Sequence, residues 1–281
     1  MPGLMIFSIN SGYEPGKINL PLQPDSLDEI SNQLPQGVYS TFRTLNSCEK
    51  ALGLSMHLNR LYIPASELGV HPSIPAIELR EALRKLLSAY QPGEARVRIC
   101  LSLNETPGQL FVIIEPLKLL NEAVYSRGVR VVTCDASRTN PRLKTTSFIR
   151  KSALQRESLL KDDIFEALMK KNERILEGLT SNFYAVYGRK IITARQGILL
   201  GVTRRFVIKL ARSLGFEIEY RSLLVHELAG INEAFITSSS RGVVPVIRVD
   251  GIQIGQGSPG DAARILRQAY DKYVLNKAEI I

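Results

Sequence analysis

Two residues of this chain have the side chains from which covalent chemistry could be built. Lys144 follows a turn-forming Asn140-Pro141 pair, and further along the chain Glu177 is followed at once by Gly178. A desolvated lysine amine is a nucleophile that forms a Schiff base with a carbonyl group. A carboxylate can hold the nitrogen of a pyridine ring in its protonated form. Taken alone, Lys144 is more simply explained as a solvated surface charge, and Glu177 as a polar residue at a turn. A catalytic interpretation of the two residues therefore needs support from the motifs around them.

Three further segments could hold a phosphate group. The turn Gly201–Arg204 opens a stretch with the apolar spacing of a helix, and a helix N-terminus presents backbone N–H groups to an anion. The segment Thr237–Gly242 offers hydroxyl groups, and Arg60, in the helical pattern His57–Leu61, supplies a cation. A Schiff-base lysine, an acid for a pyridine nitrogen and a phosphate site are together what pyridoxal 5'-phosphate (PLP) needs.

With these motifs the chain resembles the fold-type IV PLP enzymes, which form the class-IV aminotransferase superfamily. That superfamily holds branched-chain amino acid aminotransferases, D-amino acid aminotransferases, R-selective amine transaminases and aminodeoxychorismate lyases. The resemblance covers roughly residues 36 to 272. Its most specific parts are Glu177-Gly178 with Ser181-Asn182, the turn Gly201–Arg204, and the block Thr237–Pro245.

The resemblance implies a fold, a cofactor and partners. The fold would be α+β with two domains: a small N-terminal α+β domain at residues 1–118, a linker at 119–128, and a larger barrel-like, PLP-binding C-terminal domain at 129–281. The cofactor would be pyridoxal 5'-phosphate, and the substrates would be an amino acid and a 2-oxo acid, both small molecules. The chain would form a homodimer with the site near the subunit interface.

The resemblance also implies roles for individual residues. Lys144 would be the catalytic residue, forming the Schiff base and then moving a proton. The cofactor-binding residues would be Arg60, Lys144, Glu177, Asn182, Leu199, Val202, Thr203 and Ser239. The substrate-binding residues would be Tyr39, Arg98 and Ser240. Strand alternation places Arg98 on one face with Arg96, and Arg is also common on the outer face of a strand, so both interpretations of Arg98 stay open.

Two positions depart from the family's pattern. Relatives often carry Asn-Tyr shortly after the lysine, with the tyrosine hydroxyl near the phenolic oxygen of the cofactor, and the best match here is Ser147-Phe148. We expect the missing hydroxyl to alter the basicity of the Schiff base without abolishing the chemistry. Leu200 stands where many relatives have Pro, and we expect this change to be neutral.

Three functions compete for this sequence. The first is a PLP-dependent aminotransferase that acts on branched-chain-like or D-amino acids. The second is aminodeoxychorismate lyase, which releases pyruvate, because the same lysine could do that proton transfer. Lyases of that kind usually differ in the segment after the lysine, which places this function second. The third is a PLP-binding protein without robust turnover, or a basic binding module.

Composition narrows the remaining classes of function. The formal net charge is +9, but the basic residues are spread along the chain and Trp is absent, which argues against nucleic acid as a partner. No apolar run reaches the ~20 residues of a membrane span. No metal-ligand spacing is present, and the scattered Cys48, Cys100 and Cys134 indicate a reducing cytoplasm rather than a disulfide framework.

Hydrophobic periodicity predicts the elements that must position these residues. The first forty residues are expected to form loops and short strands. Helices are expected at 57–68, 75–87, 146–161, 203–214 and 260–274. Strands are expected at 37–45, 95–103, 109–115, 129–134, 165–168, 174–176, 182–187 and 191–194, the last four in a barrel-like pattern.

Overall fold

The computed structural model describes residues 3–10, 15–19, 24–91, 93–161 and 163–281. The chain divides into two compact units. Unit 1 comprises Met1–Lys118, Leu143–Lys151 and Val274–Ile281, and unit 2 comprises Leu119–Arg142 and Ser152–Tyr273. Both units combine helices with a sheet, so the predicted α+β class is confirmed. The predicted domain boundaries remain predictions.

Strands and helices are mixed along the whole of the described chain. The strands are β1 (Met5–Ile9), β2 (Gly16–Lys17), β3 (Gly37–Leu45), β4 (Lys50–Ala51), β5 (Ala95–Ser102), β6 (Leu110–Pro116), β7 (Val129–Asp135), β8 (Ile164–Lys171), β9 (Arg174–Gly178), β10 (Asn182–Tyr187), β11 (Lys190–Ile192), β12 (Glu217–Glu219), β13 (Leu223–Leu224), β14 (Glu233–Ser238), β15 (Gly242–Val249), β16 (Ile252–Gln253) and β17 (Glu279–Ile280). The helices are α1 (Leu27–Gln33), α2 (Leu54–Glu67), α3 (Ala76–Ser88), α4 (Glu122–Arg127), α5 (Thr146–Leu159), α6 (Val202–Ser213) and α7 (Asp261–Lys277), with a 3-10 helix at Val225–Gly230.

Unit 1 is built on a seven-stranded antiparallel sheet in the order β17-β4-β3-β5-β6-β1-β2. Both faces of strand β5 are buried, because they enter two different apolar clusters. Val97, Ile99 and Leu101 pack in the cluster that includes residues of α2 and α3. Cys100, on the opposite face, packs in the cluster that includes residues of α1.

Helix α1 was not predicted, since the first forty residues were interpreted as loops and short strands. Leu27 and Ile30, three residues apart, are buried on one side of it. The hydroxyl of Ser26 caps the helix by accepting a hydrogen bond from the backbone N–H of Glu29 at 3.3 Å. This helix is what covers the second face of the sheet. The loop prediction for residues 1–2, 11–14 and 20–23 lies outside the described residues.

Unit 2 is built on a ten-stranded sheet that closes on itself. Its main order is β12-β11-β10-β14-β15-β7-β8-β9-β13, and β9 also pairs with β10, so that six strands form a closed ring. The closing pair joins Glu177 of β9 to Asn182 of β10. Closure removes the exposed edges of these strands. The predicted barrel-like pattern of this region is confirmed.

The predicted linker is partly helical. The stretch predicted as a linker contains α4, whose N-terminus is capped by Asn121 and which ends at Gly128 with a φ of 74°. A positive φ favours glycine, so Gly128 marks the stop of this helix. In the described part of the chain, no helix combines the length and the apolar character that a membrane crossing requires.

Candidate active site

Glu177 is a buried carboxylate of unit 2 with three hydrogen-bond donors. Its Oε1 accepts hydrogen bonds from Arg138 Nε at 2.7 Å and from the backbone N–H of Leu199 at 3.0 Å. Its Oε2 accepts a hydrogen bond from Asn182 Nδ2 at 2.9 Å. The side chains of Arg138 and Glu177 are 5% and 2% exposed. Three donors on a buried carboxyl group stabilise its ionised form.

The closing strand pair explains why these groups meet. Residues directly opposite each other in an antiparallel pair carry side chains on the same face, so the pairing of Glu177 with Asn182 brings carboxylate and amide together. Asn182 Nδ2 also donates to the carbonyl oxygen of Leu199 at 2.8 Å, which ties the β10 strand to the loop before α6. Gly201 lies against this amide, because a Cβ there would come within 2.3 Å of Asn182 Oδ1.

The N-terminus of α6 forms the second part of the site in unit 2. The helix starts at Val202, and Gly201 caps it without a side-chain hydrogen bond. The hydroxyl of Thr203 lies 3.4 Å from that of Ser239 and 3.5 Å from that of Tyr270. Backbone N–H groups at a helix start, together with hydroxyl groups, are a donor set that suits a phosphate. The structure therefore brings the predicted Val202, Thr203 and Ser239 together.

The loops that carry these residues are joined by a buried ion pair that the sequence analysis missed. Glu166 of β8 is 1% exposed, and its Oε2 accepts from Ser181 Oγ at 3.1 Å and from Arg241 Nη2 at 3.2 Å. Arg241 also donates to Thr180 Oγ1 at 2.6 Å and, through Nε, to Ser238 Oγ at 2.9 Å. Glu166 and Arg241 thus hold the turn after Glu177 against the turn that contains the predicted Ser239 and Ser240.

In unit 1 the structure brings Lys144 to Tyr39. Lys144 Nζ lies 4.7 Å from the centroid of the Tyr39 ring, and Arg98 Cζ lies 4.8 Å from the same centroid. The backbone fixes this arrangement, since the N–H of Tyr39 donates to the carbonyl oxygen of Lys144 at 2.8 Å. Three predicted residues therefore share one locality of unit 1, with two cations on one aromatic ring.

Arg98 is an inward-facing residue of β5, not one on its outer face. It is 3% exposed, and its Nη1 donates to Asp28 Oδ1 and to Ser31 Oγ, each at 2.8 Å. Its Nε donates to Thr41 Oγ1 at 3.1 Å. Burial acts to lower the pKa of Arg98, but the Asp28 carboxylate, together with Tyr39 and Cys100, outweighs burial, and the pKa is raised. The predicted outer-face alternative for Arg98 is therefore wrong, and a substrate role stays a prediction.

Arg60 lies half-buried on α2, beside a buried histidine. His57 is 2% exposed, and its Nδ1 lies 2.8 Å from Ser40 Oγ. Burial, followed by the positive charges of Arg60 and Lys144, lowers the pKa of His57 well below its ordinary value. His57 is thus a neutral, hydrogen-bonded group that lies within the electrostatic influence of both Arg60 and Lys144.

The remaining predicted positions are placed as follows. Ser240 is half-buried on the turn between β14 and β15, next to Ser239. Phe148, at the position where a tyrosine was expected, is buried at the start of α5. Leu200 is exposed, which fits the expectation that the change from Pro is neutral. Lys151, a second lysine seven residues after Lys144, is exposed on α5.

The residues of unit 2 fit a cofactor that carries both a pyridine ring and a phosphate. Arg138, Asn182 and the Leu199 N–H keep a carboxylate ionised inside the barrel, and an ionised carboxylate can hold a protonated ring nitrogen. The α6 N-terminus with Thr203 and Ser239 offers neutral donors for a dianion. A buried carboxylate and a separate anion site within one barrel are the features of a fold-type IV enzyme.

Comparison with known proteins agrees with this class. The model of the family "Amino-transferase class IV" matches residues 37–249, so the chain belongs to this family of PLP-dependent enzymes. The chain is 26% identical to D-alanine aminotransferase of Bacillus licheniformis in an alignment 273 positions long that covers 89% of this chain and 92% of that one. It is 31% identical to the probable branched-chain-amino-acid aminotransferase of Thermotoga maritima, over 90% of this chain and 94% of that one.

One further relative has a different activity. The aminodeoxychorismate lyase of Bacillus subtilis is 27% identical over 85% of this chain and 86% of its own length. Among solved structures, that of a Thermotoga maritima protein described as a branched-chain amino acid aminotransferase superposes with a TM-score of 0.80 and 28% identity, covering 97% of this chain and 96% of that one. The predicted fold-type IV architecture is thereby confirmed.

Proposed function

We propose that this protein is a PLP-dependent aminotransferase that moves an amino group between an amino acid, branched-chain-like or of the D series, and a 2-oxo acid through a Schiff base of Lys144. The observation that carries the proposal is the buried Glu177 carboxylate, fixed by Arg138, Asn182 and Leu199 at the closing strands of the barrel. The D-alanine and branched-chain aminotransferases among the relatives support the substrate class.

Each residue has a distinct task in this proposal. When bound, PLP supplies an electron sink for the carbon that loses its proton. Lys144 carries that proton, and Glu177 keeps the ring nitrogen protonated. Arg138, Asn182 and Leu199 orient Glu177. The phosphate would be held by Arg60, Val202, Thr203 and Ser239.

The residues proposed to select the substrate are Tyr39, Arg98 and Ser240. Tyr39 lies under the Lys144 ammonium group and can exclude water from it. Arg98 presents a positive charge beside the same ring, and Ser240 offers a hydroxyl group. We further propose a cytoplasmic homodimer. A monomeric mass at micromolar concentration with full activity would contradict the dimer.

The second candidate is aminodeoxychorismate lyase, which the Bacillus subtilis relative favours. The two reactions need the same lysine and the same carboxylate, because both begin with removal of a proton next to the nitrogen. They differ in what becomes of the cofactor. A transaminase leaves the amino group on it, whereas a lyase releases pyruvate and returns it unchanged.

Absorbance of the cofactor-loaded protein separates these candidates. Addition of D-alanine or of a branched-chain amino acid without an oxo acid should convert the Schiff-base absorbance to that of the pyridoxamine form, and a 2-oxo acid should restore it. A Lys144→Ala variant should show no conversion, and Lys151→Ala, which changes an exposed lysine of the same segment, should behave as the unaltered protein. Absence of conversion with all amino acids, combined with pyruvate release from aminodeoxychorismate, would replace the first proposal by the second.

A further inference from the structure

Three arginines of unit 2 gather around one tyrosine ring. The guanidinium carbons of Arg195, Arg204 and Arg212 lie 5.4, 5.7 and 5.8 Å from the centroid of Tyr220. Arg212 Nη2 also donates to the Tyr220 hydroxyl at 3.2 Å. We call these four residues the arginine cluster. Each charge lies within 5.8 Å of one centroid, so no two of them are more than about 12 Å apart. Like charges at such separations repel one another most strongly at low salt, where screening is weak.

The arginine cluster has no counter-charge. Within the described ranges, none of its three arginines forms an ion pair with a carboxylate. The acid next to the ring in sequence, Glu219, is already bound by Lys190 at 3.3 Å and by Arg221 at 2.7 Å. Arg138 and Arg241 of unit 2 differ from these arginines, since each of them meets a glutamate.

Arg204 shows the imbalance most clearly. It is 4% exposed, its Nη2 donates to the carbonyl oxygen of Ala194 at 2.5 Å, and its buried Nε has no hydrogen-bond partner. A buried cation with an unused donor is costly unless an anion compensates it. The aromatic face of Tyr220 offsets only part of this cost, because a cation–π contact is weaker than an ion pair with a buried carboxylate.

The helix that carries two of these arginines adds to the positive potential. Helix α6 contains Arg204, Arg205, Lys209 and Arg212 and no Asp or Glu. A cation-only helix beside a cluster of arginines attracts anions to that surface. Guanidinium groups suit phosphate in particular, because their planar N–H forks match two phosphate oxygens at once.

We propose that the arginine cluster is a binding site for a small phosphate-bearing anion, held by Arg195 and Arg212 at the surface and by the charge of Arg204 beneath. The site is separate from the candidate cofactor site. Thr203 contacts Ser239 and Tyr270, whereas Arg204, the next residue of the helix, contacts Ala194 and Tyr220. Neighbouring residues of a helix point about 100° apart, so one helix serves both sites.

Isothermal titration of the PLP-saturated protein with inorganic phosphate at low ionic strength tests the proposal. Saturation with PLP keeps phosphate out of the candidate cofactor site. The double variant Arg195→Gln/Arg212→Gln changes two exposed side chains and should fold normally, which circular dichroism checks. We expect it to weaken phosphate binding at least tenfold. A second titration uses methyl phosphate, a simple phosphate ester. If methyl phosphate and inorganic phosphate both bind, the site accepts phosphate esters; if only inorganic phosphate binds, the site is specific for the free ion.

The matched control is Arg174→Gln/Arg248→Gln, which removes two exposed arginines from other strands of unit 2 and therefore the same net charge. It should bind phosphate as the unaltered protein does. Equal losses in the two double variants would mean a general charge effect and would overturn the proposal. So would the absence of phosphate binding in the unaltered protein, or binding that survives in Arg195→Gln/Arg212→Gln. Because none of these variants touches Lys144 or Glu177, the outcome does not depend on the proposed transaminase activity.

Discussion

Unit 2 contains two Arg–Glu pairs of nearly the same length in opposite surroundings. Arg138 meets Glu177 at 2.7 Å with side chains 5% and 2% exposed, whereas Arg221 meets Glu227 at 2.7 Å with side chains 36% and 28% exposed. Distance alone would rank them equal. In the buried pair neither charge can be solvated if the other is removed, whereas water can replace either partner of the surface pair. A close ion pair therefore strongly constrains the structure only where both side chains are shielded from water.

The two glutamates also differ in their other hydrogen-bond partners. Glu177 is also held by Asn182 and by the backbone of Leu199, at the only point where β9 pairs with β10. Glu227 is held by the Leu224 N–H at the start of the 3-10 helix, so the hydrogen bonds of Arg221 and this cap lower the pKa of Glu227. The first carboxylate lies buried at the closing strands of the barrel, and the second caps the start of a helix.

The largest effect should come from breaking the buried pair. Arg138→Met leaves Glu177 buried without its cation, and we expect a loss of about 3–5 kcal/mol in the free energy of unfolding. Denaturant titration followed by circular dichroism measures it. Arg142→Met, an exposed arginine of the same loop, is the control and should change stability little. A loss below about 1 kcal/mol for Arg138→Met would mean that water reaches this pair and that the contrast with the surface pair is wrong.

The next largest effect should be kinetic. In Glu177→Gln the amide cannot keep a pyridine nitrogen protonated, so proton transfer should slow on the order of 10²-fold, which is about 2.7 kcal/mol of barrier. Cofactor occupancy should survive, because the proposed phosphate ligands and Lys144 are unchanged. Single-turnover kinetics at an occupancy checked by absorbance measures the loss. Glu173→Gln, on the exposed end of the same hairpin, should leave the rate unaltered, and a normal rate in Glu177→Gln would reduce Glu177 to a structural residue.

The third prediction concerns how the free energy of unfolding depends on pH, which reports on a buried group that has no counter-charge among the described residues. His57 is buried beside two cations, and its pKa is lowered well below the ordinary value. The unfolded chain protonates this histidine near pH 6.5 while the folded protein does not, so stability is complete above that pH and falls below it, by up to ~1.4 kcal/mol per pH unit. Stability of His57→Asn, measured from pH 7.5 to 5, should fall less steeply than that of the unaltered protein. Equal slopes would show that His57 contributes nothing to this dependence.

The smallest effect should come from the surface pair. Arg221→Gln should reduce the free energy of unfolding by less than about 1 kcal/mol, and high salt should remove most of the difference. Denaturant titrations at low and high salt measure both quantities. A loss as large as that of Arg138→Met would show that the surface pair is as constrained as the buried one.

The fold could be predicted from the sequence wherever one pattern dominates. Strand β3 lies where it was expected, at Gly37–Leu45, and α6 begins one residue before its predicted start. Helix α1 was missed because a seven-residue helix has too few turns for a clear period. Its start carried a signal that could have been used, since Ser26 is followed three residues later by Glu29, the pattern of a capping box.

The candidate site could be predicted only in part. Glu177, Asn182 and the α6 turn stand out by residue type and spacing, and the structure brings them together. Arg138 lies in a loop without a pattern, and only the fold brings it to Glu177. Glu166 did carry a signal, because an acid inside the otherwise apolar run of β8 must find partners if that strand is buried. The position of Arg98 depended on α1, so the missed helix left its environment unknown.

The central claim is that Lys144 is the lysine that holds the cofactor. Sodium borohydride reduction of the PLP-loaded protein locks a Schiff base into a stable bond, and peptide mapping by mass spectrometry then locates it. We expect the modification on the peptide that contains Lys144. The modification should be absent from Lys144→Ala and present in Lys151→Ala. A modification on Lys151 or on any other lysine, or no modification at full cofactor occupancy, would contradict the account.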